Sequence, residues 1–139
     1  MISRELALQL RDAGLVWHPD SGDRFQLDLP SNVEAEVEAD TFTVSEMTIE
    51  TRRYPTGTIL AFNGTTEWAL DSVALADSVW LPREEQLREL LRATFRALRR
   101  LPDAFEVEID LAGEPRRFEH PDAAEAYGMA LLALIERTR

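Results

Sequence analysis

The chain has 139 residues, a formal net charge of −11, and 45% hydrophobic against 29% charged residues, the composition of one folded domain rather than of a disordered chain. It contains no cysteine, which excludes disulfides, thiol nucleophiles and thiolate metal centres, and no lysine, which excludes a P-loop lysine, Schiff-base chemistry and a lysine general base. The acidic balance also argues against nucleic acid as a partner, because phosphate contacts would form against long-range repulsion.

The stretch "SRELALQLRDAGL" predicts a first helix with Ser3 at the N-cap, Glu5 in the first turn, and Gly14 as the left-handed residue that ends it. Ile2, Leu6, Leu10 and Ala13 form its buried stripe, and Leu15 folds back on Leu10. A hairpin is expected next, with Pro19-Asp20-Ser21-Gly22 turning the chain between Val16-Trp17 and the alternating Phe25, Leu27 and Leu29. "VEAEVEAD" alternates Val33, Ala35, Val37 and Ala39 with Glu34, Glu36, Glu38 and Asp40, the pattern of an edge strand guarded by charge. A cation site on that carboxylate row would need converging ligands from elsewhere, and none is visible. "TFTVSEMTIETRRY" continues as strand, its apolar parity slipping near Ser45-Glu46 as a β-bulge would make it. Tyr54-Pro55-Thr56-Gly57 is a turn.

"GTILAF-NG-TTEWAL" then reads as a hairpin, with Asn63-Gly64 at the two positive-φ positions of a type I′ turn, Ile59 opposite Trp68 and Leu60 opposite Glu67. A long central helix is expected from Pro82 to Leu101, with Glu84 and Glu85 in its first turn and Leu87, Leu90, Leu91, Thr94, Leu98 and Leu101 at helical spacing. "FEVEIDL" is a strand, turned by Ala112-Gly113-Glu114-Pro115 into "RRFEH". Pro121 starts a last helix with Ala124, Tyr127, Leu131, Leu134 and Ile135 inward and Gly128 allowing close approach; His120 flanks its start. The order predicts an α+β fold over residues 1–139, an antiparallel β-sheet of about five to seven strands packed by N-terminal, central and C-terminal helices. No apolar run reaches the roughly 20 residues of a membrane span, and no basic-then-apolar signal opens the chain, so a cytoplasmic location is expected.

Three segments, "ISRELALQLRDAGL", "WLPREEQLREL" and "AAEAYGMALLALIE", resemble in the same order short bacterial and phage-type proteins of no established function. "GDRF" and "FNGTTEWALDSV" are similar to an actinobacterial group of them, some of which carry an automatic label as pilus assembly proteins. The resemblance lies in caps, helix starts and a hairpin. If that label implies an ATPase component, the absence of a P-loop and of lysine speaks against it here.

No nucleotide loop, nucleophile elbow, zinc-protease helix or calcium loop is present, so no catalytic residue, cofactor or metal is assigned. Two sites remain in view. Arg88, Arg92, Arg96 and Arg99 recur at spacings of 4, 4 and 3 residues on the predicted central helix, either a solvated face paired with Glu84, Glu85 and Glu89 or a stripe that docks an acidic partner strand. Trp17, His18, Asn63, Glu67, Trp68 and Asp71 could line a cleft, with Asp23 and Arg24 near His18. The first site predicts a non-enzymatic interaction or regulatory module with a protein partner, a homo-oligomer being compatible with it. The second predicts a small-molecule binder or hydrolase, although a lone histidine without a visible partner is a weak base candidate.

Overall fold

The computed structural model describes residues 1–28, 41–44, 49–54, 57–62, 72–74 and 77–138. They fall into two compact units, one of Met1–Val16 with Leu81–Arg139 and one of Trp17–Trp80. The fold is α+β with antiparallel sheets. Among the described residues the strands form three three-stranded sheets, where the sequence suggested one sheet of five to seven.

The terminal unit opens with α1 (Arg4–Ala13), and its caps are those expected: Ser3 Oγ accepts the Leu6 N–H at 3.2 Å, and Gly14 sits at φ 121. The Leu15 N–H reaches back to the Leu10 carbonyl at 2.9 Å, closing the helix C-terminus. Ile2, Leu6, Leu10 and Ala13 are buried. They pack against the last helix, α3 (Ala123–Thr138), where a Cβ built on Gly128 would lie 2.5 Å from Leu6 Cδ2, so any side chain there would force Leu6 to shift. The α3 cap is Asp122, whose Oδ1 accepts the Ala124 N–H at 2.9 Å, so Pro121 precedes the helix. His120 flanks it as expected, its Nδ1 accepting the Asp122 N–H at 2.9 Å.

The long central helix is the main correction. Strand β6 (Ser78–Leu81) precedes it, α2 runs only from Glu84 to Leu91, a 3-10 turn covers Arg92–Thr94, and Phe95–Arg100 is strand β7. Gln86 Oε1 accepts the Arg83 N–H at 2.8 Å and fixes the start, two residues after Pro82. At the other end the Thr94 hydroxyl donates to the Leu91 carbonyl at 2.5 Å, an alternative bond that competes with helical continuation. Beyond it, pairing of β7 with β8 (Phe105–Leu111) outweighs local helix propensity. Strand β9 (Glu114–His120) completes a β7-β8-β9 meander. Its turn is two residues long, Ala112 at φ 52 and Gly113 at φ 88, both positive as a type I′ hairpin requires, and Pro115 falls within β9. Helix α3 covers β8 and β9.

In the central unit, β1 (Arg24–Leu27) lies between β2 (Phe42–Thr43) and β6. Val16-Trp17 is therefore not its hairpin partner. The Asp23 N–H bonds to the Asp20 carbonyl at 3.1 Å, a turn tight enough to bring Trp17 over Asp23, and Phe42–Val44 takes the strand edge instead. Strand β3 (Ile49–Tyr54) belongs to a different sheet, with β4 (Gly57–Phe62) and β5 (Ser72–Ala74), and Ser45-Glu46, where the sequence predicts a bulge, lies outside the described residues. The β4–β5 register sets Leu60 opposite Val73 and Ile59 opposite Ala74, not Glu67 and Trp68 as a two-residue Asn63-Gly64 turn would have it. That register places apolar residue types across from one another, which is what fixes strand pairing. Asn63-Gly64 and "VEAEVEAD" lie outside the described residues.

Candidate functional site

Alternation along β8 sends Val107, Ile109 and Leu111 into the core and Glu106, Glu108 and Asp110 to the opposite face. The antiparallel register then sets Arg99 across from Glu106 and Arg117 across from Glu108. Arg99 Nη1 donates to Glu106 at 3.0 Å and to Glu108 at 2.9 Å, while Arg117 Nε donates to Glu108 at 3.0 Å. The hydrogen bonds from Arg117 and then Arg99 hold the Glu108 carboxyl below the usual glutamate range, and those from Glu108 and Glu106 hold the Arg99 guanidinium above its own. Arg96 Nη2 reaches Asp110 Oδ2 at 3.2 Å, and its Nη1 reaches the Ala93 carbonyl at 2.6 Å.

The four arginines singled out in the sequence therefore do not share one helix. Arg88 is on α2, Arg92 in the 3-10 turn, and Arg96 and Arg99 on β7. Arg96 and Arg99 are neutralised within the sheet by carboxylates of β8 rather than by Glu85 or Glu89; Glu85 pairs with Arg83 at 2.7 Å, and that bond lowers its pKa. Arg88 and Arg92 are exposed. Arg92 holds φ 53 and ψ −134, a strained backbone for a side-chain-bearing residue, worth about 1–3 kcal/mol.

The two open edges of this sheet differ. On β9, Pro115 lacks an N–H, Arg116 lies over the Phe118 ring at 5.8 Å, and Arg117 is held by Glu108. On β7, Arg96, Leu98, Arg99 and Arg100 are all exposed, Leu98 by 38%. No strand among the described residues pairs with its outer side.

Of the cleft residues, Trp17 is buried and serves as a core anchor. Its Nε1 donates to Asp23 Oδ2 at 2.9 Å, and its ring stacks on Trp80 with centroids 6.4 Å apart and packs on Phe25 at 5.4 Å. The Asp23 carboxylate, 3% exposed, also accepts the Asp20 N–H at 3.1 Å. His18 is exposed, and Asn63, Glu67, Trp68 and Asp71 lie outside the described residues. Sequence reasoning overlooked Trp80 and the facing Glu106, Glu108, Asp110 and Arg117. The alternation of "FEVEIDL" already put three carboxylates on one face; the strand that brings arginines to them was hidden inside a predicted helix.

Among the described residues no group of three or more histidine, aspartate or glutamate side chains could hold a metal ion, and no helix is long and apolar enough to cross a membrane. Comparison with family models, with curated proteins and with solved structures finds no match to this chain.

Proposed function

We propose that the protein is a cytoplasmic, non-enzymatic interaction module that accepts an acidic, extended segment of a partner protein along the outer edge of β7. The observation that carries this reading is the outer edge of β7, unpaired among the described residues and lined by exposed Arg96, Leu98, Arg99 and Arg100; β9 is likewise exposed and carries Arg116 and Arg117, but Pro115 removes one N–H from its edge. An added strand gains main-chain hydrogen bonds along such an edge, and its side chains supply specificity. A second copy of β7 is a poor occupant, because pairing would bring arginines across from arginines. An acidic strand meets the opposite situation. Between Arg83 and Arg100 there are six arginines against three glutamates, and three of the six, Arg83, Arg96 and Arg99, already pair with Glu85, Asp110 and the Glu106–Glu108 pair. Repulsion from more distant carboxylates is screened beyond about 8 Å at physiological salt.

The test uses an end-blocked peptide of alternating valine and glutamate and a twin methylated on alternate backbone nitrogens. Binding of the first, with new amide-exchange protection in Phe95–Arg100 and none in Glu114–His120, is expected. Equal binding of the methylated twin, or protection confined to β9, overturns the edge reading.

A second reading, a small-molecule binder or hydrolase with a cleft near Trp17 and Trp68, draws on Trp80. Its Nε1–H is buried with no acceptor among the described residues, a donor that a bound ligand would satisfy. A ligand that shifts the indole Nε1–H resonance of Trp80 would favour it.

A further inference from the structure

We infer that the occupant of the β7 edge is a second copy of this chain, entering with its run "VEAEVEAD", residues 33–40, an inference that rests on the edge reading above. The run lies outside the described residues, and its sequence supplies the match. Residues 36–40 read "EVEAD", and residues 106–110 of β8 read "EVEID", identical at four of five positions. Strand β8 is the inner partner of β7, with Val107 opposite Leu98 and Glu106 opposite Arg99. The chain therefore holds, outside β8, a second stretch with the side-chain order that β7 already accepts. Each copy carries one such run and one such edge, so no other protein is needed to fill it.

The two faces of β7 explain why that order matters. Leu98 shares the face of the buried Val107, yet it is 38% exposed at the open side of the sheet. Arg99 stands on the opposite face, where Glu106 and Glu108 hold it at 3.0 and 2.9 Å. An added strand must accordingly bring apolar side chains beside Leu98 and carboxylates beside Arg99. Side chains of a strand alternate between faces, so Val33, Ala35, Val37 and Ala39 meet the first demand while Glu34, Glu36, Glu38 and Asp40 meet the second. Arg99 holds β8 through Nη1 alone, which leaves the donors of Nε and Nη2 for a further carboxylate. The register that repeats β8 sets Val37 opposite Leu98 and Glu36 opposite Arg99. A slip by one residue would put a carboxylate against Leu98 and an apolar side chain against Arg99, so the pattern selects its own alignment.

The experiment is sedimentation of the 139-residue chain over a range of concentrations, with an end-blocked peptide of residues 32–40 as competitor. The wild-type protein should self-associate, and the peptide should dissociate it while protecting Phe95–Arg100 from amide exchange. A peptide of the same composition with its alternation scrambled should do neither. Val37→Pro removes an N–H and an apolar side chain from the run, and Leu98→Glu charges the apolar face of the edge. Each should weaken association by about tenfold or more with Tm little changed, and a mixture of the two should associate better than either alone. Association that both variants leave intact overturns the inference, as does wild-type association that the peptide fails to reverse. A monomeric wild type that still binds the valine–glutamate peptide along β7 overturns the second copy and leaves the edge reading standing; if Val37→Pro then raises that affinity, the run occupies the β7 of its own chain. A monomer that binds no peptide removes both readings.

Discussion

Two carboxylate-centred clusters, one in each unit, use the same interaction to different ends. Asp23 in the central unit is buried and receives fixed donors, the Trp17 indole and the Asp20 amide. Glu108 on the outer face of the terminal unit receives guanidinium groups from two strands, Arg99 and Arg117, both about half exposed. Water can replace the donors of Glu108 but not those of Asp23. Removing a partner from a buried polar group costs the full desolvation of what remains, whereas exposed ion pairs contribute little. The difference teaches that the Asp23 cluster depends on its protein donors, whereas the arginine–glutamate lattice meets water on its arginine side.

Three measurements break or sharpen that contrast. Phe25 is fully buried and packs between Trp17 and Phe42, with ring centroids 5.4 and 5.5 Å away, so Phe25→Ala should cost about 3–5 kcal/mol in denaturant unfolding. A loss under 1 kcal/mol would show that the aromatic cluster is not the anchor of its unit. Asp23→Ala leaves the Trp17 Nε1–H without its acceptor and should cost about 1–3 kcal/mol at pH 7. If it costs no more than Glu108→Gln under the same conditions, the distinction between the clusters collapses. The smallest effect is that of Glu108→Gln, and it is a matter of pH. Because the folded Glu108 carboxyl lies below its ordinary value of 4.5, its contribution is complete above that value and fades as pH falls through the lowered one. The glutamine variant should therefore lose a little stability at pH 7 and show a shallower acid limb below about pH 5, the difference shrinking in 1 M salt.

Features set by short-range physics were legible in the sequence. Ser3 and Gly14 cap α1 where their chemistry places them, Gly128 gives way to Leu6, and "FEVEIDL" alternates because one side of β8 is core. Phe95–Arg100 was not legible, since Phe95 and Leu98 fit both a helical stripe and a strand, and only pairing with β8 decides between them. The β4–β5 register failed for a related reason: Asn63-Gly64 is a strong local hairpin signal, yet Ile59↔Ala74 and Leu60↔Val73 are set by cross-strand partners. The arginine site was half visible. Its residue types stood out in an acidic chain, while the carboxylates that neutralise Arg96 and Arg99 came into reach only through strand topology.

The junction of α1 with α3 bears on synthesis. Both the Ser3 N–H and the Ser3 hydroxyl donate to the Glu125 carboxylate, across 122 residues of chain. During translation at about 5–20 residues per second, α1 emerges on the order of 10 s before the helix it must dock against. Throughout that interval its apolar stripe of Leu6 and Leu10 is uncovered by α3, while residues 17–80 emerge as a unit of their own. Nascent chains stalled before Ala123 should consequently leave α1 open to proteolysis and to chaperones, and release of α3 should close it in a single late step.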